Sequence, residues 1–143
     1  MTIAVLTEHE EQVGFVSEIR YLYRNDPEFM PELFYSVPNG MWIGGAGKTR
    51  FALMEKYKAE GLMPGVADVH YDQPRGGFSK FVCEMKRSDK KKEKDGGLSP
   101  EQLRYLNAVR KAGAFVCVAY CADEAIDSFK NYMGMDAGNS RDE

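Results

Sequence analysis

Val16, Ile19 and Tyr23 recur at the spacing of one helical face, and Glu8 and Gln12 extend the same stripe toward the N-terminus, so the pattern predicts a first helix over residues 8–23. Asn25-Asp26-Pro27 ends it, since proline has no amide proton to donate and its ring obstructs the preceding turn, and Pro31 limits any short helix that follows. The period then changes. Leu33, Phe34, Tyr35, Ser36 and Val37 form an aromatic and β-branched run, a short strand stopped by the turn formers Pro38-Asn39-Gly40. Gly44-Gly45-Ala46-Gly47 predicts a loop, after which Phe51, Met54, Tyr57 and Lys58 share one side of a second helix over residues 48–60, with Gly61 as its stop.

Pro64-Gly65 leads into a strand over residues 66–71, Asp72-Gln73-Pro74-Arg75-Gly76-Gly77 turns the chain, and a strand over residues 78–86 completes an antiparallel hairpin. A lysine-rich loop follows and ends at Gly96-Gly97. Ser99 then stands as the N-cap of a third helix, with Pro100 at the first helical position and Gln102 at the third, the signature of a capping box. Leu103, Leu106 and Val109 give that helix its buried face and Gly113 closes it. Residues 115–120 read as an apolar strand, 123–133 as a final helix and 136–143 as a disordered tail. Neither an internal repeat nor a linker divides the chain, so helices before and after a small mixed sheet predict one α/β domain over residues 1–135.

Composition narrows the class. A chain of 143 residues, 43% hydrophobic and 29% charged, can bury one sizeable core and lacks the depleted hydrophobicity of a disordered protein. No stretch approaches the ~20 apolar residues that span a bilayer, and residues 1–12 carry acids rather than a basic-then-apolar signal, so a cytoplasmic protein is expected. Cys83, Cys117 and Cys121 are odd in number and fall in apolar segments, which fits reduced thiols; no further ligand stands at the spacing a structural zinc needs. The net charge of −3 argues against a surface that binds nucleic acid everywhere. Lys86, Arg87, Lys90, Lys91, Lys92 and Lys94 nevertheless crowd one segment, diluted by Asp89 and Glu93, and such a run is either a solvated loop or a phosphate-binding edge.

Alternation along a strand puts Glu84 and Lys86 on one face and Cys83 and Met85 on the other. Asp68, on the preceding strand, is placed to meet Glu84 across the hairpin. Two carboxylates repel unless a cation lies between them, and oxygen donors suit Mg²⁺ or Mn²⁺. The bland alternative is an ion pair between Glu84 and Lys86, with Asp68 capping a turn.

Taken with its neighbours, this constellation acquires a family. The run from residue 37 to 133 resembles the virus-type replication-repair nuclease domain (VRR-NUC), a branch of the PD-(D/E)-x-K nuclease superfamily, in its stand-alone phage and prophage form. The matching pieces are Val37-Pro38-Asn39-Gly40, the segment 58–68 that ends in Pro64-Gly65-Val66-Ala67-Asp68, Arg75-Gly76-Gly77, Cys83-Glu84-Met85-Lys86, Leu98-Ser99-Pro100-Glu101-Gln102, Gly113 and Glu124-Ala125. Their order and spacing carry the resemblance. It implies a restriction-endonuclease-like fold and a metal-dependent, structure-selective DNA endonuclease of the Holliday-junction-resolvase kind; flap or duplex cleavage and an inactive DNA-binding module are the alternatives. It also implies Asp68 and Glu84 as ligands of Mg²⁺ or Mn²⁺, Lys86 as the catalytic lysine, Gln102 as a further site residue and a first-helix glutamate completing the cluster. The distance to Gln12 selects Glu8, with Glu11 second. The family's Pro-Asp pair reads Ala67-Asp68 here. Phosphate contacts are expected from Lys48, Arg50, Lys90, Lys91, Lys92 and Lys94, and a homodimer would present two cleavage sites to branched DNA.

Two residues keep a second reading. Gln102 is explained equally by the capping box, and His70, which shares a strand face with Asp68, is either a polar residue at a sheet edge or a further metal neighbour. Gly45-Ala46-Gly47-Lys48-Thr49 imitates the end of a phosphate-binding loop, but the full pattern needs glycine where Trp42 stands and a buried strand directly before it, so no nucleotide cofactor is expected.

Overall fold

Thr7 fixes where the chain begins to coil. Its hydroxyl accepts the Glu10 amide at 3.1 Å while the Glu10 carboxylate accepts the Thr7 amide at 3.0 Å, and α1 (Glu8–Leu22) starts from this reciprocal pair. In the computed structural model, which describes residues 4–38 and 47–137, the order continues β1 (Phe34–Ser36), α2 (Lys48–Ala59), β2 (Val69–Tyr71), β3 (Phe81–Met85), α3 (Pro100–Lys111), β4 (Phe115–Ala119) and α4 (Ala122–Met133). The strands form one sheet in the order β1-β2-β3-β4. β1–β2 and the β2–β3 hairpin are antiparallel, whereas α3 carries the chain across so that β4 lies parallel to β3. This is the mixed α/β architecture that the hydrophobic periods predict.

The two faces of the sheet bury different residues. Val69, Tyr71, Phe81, Cys83, Met85, Cys117 and Ala119 point to the α1/α4 side, where Phe15, Ile19, Phe129 and Tyr132 cover them. Phe129 meets six aromatic rings at centroid distances of 5.2–6.3 Å. On the other face Ala67, Val82, Val116 and Val118 pack beneath Leu106, Tyr105 and Val109 of α3. Cys83 and Cys117 are in register on β3 and β4 and buried; Cys121 is half-buried, and all three are free. No helix among the described residues is long and apolar enough to cross a membrane.

Several expected boundaries move. β2 opens at Val69, three residues later than its apolar run suggests, and Phe78 closes a turn with Arg75 instead of opening β3. The lysine-rich segment contains one short 3-10 turn, Ser88–Lys92, and then bends through Asp95, Gly96 and Gly97 at positive φ. α2 forms, but none of its residues is fully buried: Leu53, Met54 and Tyr57 are half-buried and Phe51 is 67% exposed. Its alanine, leucine, methionine and lysine content favours a helix without requiring a core to receive the predicted face. Two residues of the expected tail are held: the Asp136 carbonyl accepts the Gly76 amide at 2.8 Å and Ala137 bridges to Arg75. The turn residues 39–40, the glycine loop 44–46 and the rest of the tail, 138–143, lie outside the described residues.

Candidate active site

Register makes the site. Val69 pairs with Cys83, so one step outward Asp68 stands opposite Glu84, on the face that alternation assigns also to Lys86. Asp68 lies just ahead of β2 rather than within it. Its carbonyl accepts the Val37 amide at 2.8 Å and its Oδ2 accepts the Met85 amide at 2.7 Å, so a side chain takes a β3 donor beyond the last regular ladder pair. Glu84 is 2% exposed, and the Asp68 charge acts on it across the register.

The third side of the site comes from α3. Gln102 closes the capping box predicted from the sequence: its Oε1 accepts the Ser99 amide at 2.8 Å and its own amide donates to Ser99 Oγ at 3.1 Å. The same carboxamide turns its Nε2 to Glu84 Oε1 at 2.8 Å. The capping reading of Gln102 is what the structure shows, and the bond to Glu84 comes in addition to it. Glu84 Oε2 remains buried with no hydrogen-bond partner among the described residues.

Burial dominates the electrostatics. It raises the Asp68 pKa above the ordinary carboxylate value, opposed by the Met85 amide and reinforced by Glu8. Burial and then the Asp68 charge push Glu84 up to about 9, and the Lys86 ammonium only partly offsets them. Lys86 itself is nearly buried, its amide donates to the Ala119 carbonyl at 2.8 Å, and among the described residues its ammonium forms no ion pair. The bland reading of a Glu84–Lys86 ion pair is therefore not what the structure contains.

The three glutamates in the first turn of α1 separate cleanly. Glu10 belongs to the Thr7 capping box, and Glu11 accepts the Ala122 amide at 3.0 Å, capping α4. Glu8 is exposed and lines, with Gln12, Asp68, Glu84 and Gln102, an open cleft of about 720 Å³ between the first turns of α1 and α3. Among the described residues no three His, Cys, Asp or Glu side chains are grouped closely enough to hold an ion by themselves. Asp68 and Glu84 are thus a two-carboxylate site with Glu8 at its rim. An all-oxygen pair with one orphaned, buried oxygen fits a hard divalent cation such as Mg²⁺, which typically keeps several waters and takes one or two carboxylates plus phosphate oxygens.

His70 is outside this set. Its Nε2 contacts the Ala67 carbonyl at 2.9 Å and its Nδ1 the Lys80 ammonium at 2.8 Å, so both nitrogens are engaged; burial, then Lys80, lowers its pKa. The expected phosphate contacts are dispersed. Lys90 pairs with Glu93 at 3.3 Å, and Lys91 pairs with Glu124 at 3.4 Å and lies over the Tyr120 ring. Lys92 and Lys94 are exposed, and Lys48 and Arg50, in the first turn of α2, do not line the cleft. Arg87 and His9 were not among the expected contacts, yet with Thr7, Glu8 and Lys90 they line a depression that meets the cleft at Glu8. The position of Arg87, directly after Lys86, was the signal available.

A four-stranded mixed sheet with α1 and α4 on one face and α3 on the other is a mixed α/β domain, with an acidic pair where β2 begins and β3 ends. Among solved structures the chain is similar to a VRR_NUC domain protein, with 20% sequence identity over 94% of each chain and a TM-score of 0.69, which shows that it shares the fold of that domain. No family model and no curated protein matches the chain.

Proposed function

We propose that this protein is a metal-dependent nuclease that hydrolyses DNA phosphodiester bonds at the Asp68–Glu84 pair. The observation that carries the reading is the buried Glu84 Oε2, without a hydrogen-bond partner among the described residues, beside a second carboxyl group, on a fold shared with a VRR_NUC domain protein. A Mg²⁺ or Mn²⁺ ion held by Asp68 and Glu84 would supply the positive charge that polarises a phosphate oxygen and acidifies water. The chain's own residues do the rest. Met85 and Gln102 each fix one oxygen of the pair, Oδ2 of Asp68 and Oε1 of Glu84, and so orient the remaining two. Lys86, which forms no ion pair among the described residues, places an ammonium beside the carboxylates, where it stabilises charge building on the phosphate or orients the attacking water. Glu8 adds a carboxylate at the open side of the cleft. Arg87 and Lys90, with the exposed Lys92 and Lys94, hold the phosphate backbone, so binding weakens with added salt.

The substrate reading extends to branched DNA, four-way junctions before flaps or plain duplex. One cleft per chain cuts one strand, and a two-fold pair of chains presents two clefts to a pseudo-symmetric junction. The test is cleavage of junction, flap and linear DNA in Mn²⁺ by the native protein, Asp68→Ala and Glu84→Ala, with the solution mass measured alongside. Cutting by the native protein alone supports the nuclease. Alanine variants that cut equally well remove it.

A further inference from the structure

We infer that His70 is a positioning residue for Asp68: by gripping the Ala67 carbonyl it sets the backbone from which the carboxylate projects into the cleft. The inference rests on the metal-nuclease reading of that cleft. Because Asp68 precedes the first ladder residue of β2, its placement depends on the peptide before it. Ala67 is fully buried there, and unlike proline it leaves its own φ unrestrained. The carbonyl of Ala67 meets His70 Nε2 at 2.9 Å.

The direction of that bond is fixed from the other side of the ring. Nδ1 lies 2.8 Å from the Lys80 ammonium, which can only donate, so Nδ1 accepts and the proton sits on Nε2, where it donates to Ala67. Lys80 is held in turn by Asp72 Oδ1 at 2.8 Å, and Asp72 Oδ2 accepts the Tyr35 hydroxyl at 2.9 Å. The Tyr35 ring lies flat on the imidazole, with centroids 5.3 Å apart and planes 7° apart, while Tyr105 meets it edge-on at 6.3 Å. Position and tautomer of His70 are therefore both determined, by a chain of contacts that ends one peptide bond from Asp68. The Val37 and Met85 amides hold Asp68 from its own carbonyl and carboxylate; His70 holds it from behind.

Calorimetric titration with Mn²⁺ tests this on the native chain, His70→Phe, His70→Gln and Asp68→Ala, with thermal unfolding as the check on folding. Phenylalanine keeps the ring contacts and loses the donor; glutamine keeps a donor at the Nε2 position and loses the ring. We expect His70→Phe to weaken Mn²⁺ binding by about 10–100-fold and His70→Gln to restore most of it. Lys80→Met is the second route if His70→Phe does not fold: releasing Nδ1 lets the ring change tautomer and weakens binding in the same direction. In the metal-free native protein, a long-range ¹H–¹⁵N spectrum should place the proton on Nε2. Unchanged affinity in His70→Phe, a glutamine variant as weak as the phenylalanine one, or a proton on Nδ1 overturns the positioning role and leaves the cleft reading standing. Native Mn²⁺ affinity that survives Asp68→Ala removes the cleft reading and this inference with it.

Discussion

Replacing Glu84 by glutamine should remove a loss of stability that the native protein suffers as pH rises. In the metal-free fold the Glu84 carboxyl is 2% exposed, and burial beside Asp68 pushes its pKa up to about 9 from an ordinary 4.5. Between those values the folded protein holds a proton that the unfolded chain releases. The stability contributed by this group is therefore complete below the lower value and is lost as pH rises, by about 1.4 kcal/mol for each pH unit, until it levels off above the upper one. By pH 7 the accumulated loss is about 3 kcal/mol, a large share of the total for a domain of this size. The proton belongs to the Asp68–Glu84 pair, but the glutamine variant keeps the shape, removes the titrating group and isolates the effect. Denaturant unfolding in EDTA from pH 5 to pH 8 should show the variant gaining on the native protein at each step. In Mn²⁺ the native slope should vanish, because the ion takes the proton's place, and titrations in buffers of different ionisation enthalpy should report close to one proton released per ion near neutral pH. Metal-free curves that run parallel would refute the shared-proton account of the pair.

Four further substitutions probe contacts at the edges of the site and at the end of α4. Glu11→Ala should cost about 1 kcal/mol in unfolding experiments, by uncapping Ala122, and leave Mn²⁺ affinity unchanged; Glu8→Gln should lower cleavage while shifting stability by less than about 0.5 kcal/mol, and the opposite assignment would exchange these results. Gly65 has φ +87°, and a Cβ there would come within 2.5 Å of the Glu101 carbonyl and 2.8 Å of the Gln102 amide, so Gly65→Ala should destabilise by about 2 kcal/mol or more and weaken Mn²⁺ binding through Gln102. Arg75 is 3% exposed and donates to the Met133 carbonyl at 2.9 Å and the Met135 carbonyl at 3.1 Å, holding the chain at the end of α4, so Arg75→Met should cost about 3 kcal/mol or more without changing Mn²⁺ affinity per folded molecule.

Much of the fold was legible because it follows from alternation and capping. Cys83 and Met85 could be separated from Glu84 and Lys86 since a helix layer covers each face of the sheet, and period two sorts residues between them. The Ser99-Pro100-Glu101-Gln102 signature located α3 to the residue. What escaped was settled by partners distant in sequence. Glu8 and Glu11 are three residues apart on one helix, so their period is shared, and only the Ala122 amide, 111 residues from Glu11, tells them apart. Asp68 read as a strand residue because its neighbours are apolar, yet its carboxylate takes a β3 amide just outside the ladder. The lysines of residues 90–94 read as a common phosphate-binding edge, while Glu93 and Glu124 already engage two of them. α2 has helical composition without a core facing it, a distinction that pattern alone does not draw.

The Gln102 carboxamide has a consequence for which sequences this site can tolerate. A capping box closes equally well with glutamate or glutamine when all it must do is accept the N-cap amide. Here the same group must also donate a hydrogen bond to Glu84 Oε1, which a carboxylate cannot do, and a third negative charge beside Asp68 and Glu84 would drive the pair further toward holding protons instead of a cation. The choice between two nearly interchangeable capping residues thus becomes a marker. Glutamine at this position reports that the start of α3 has been recruited into the acidic cleft, and glutamate would report a helix that merely begins there.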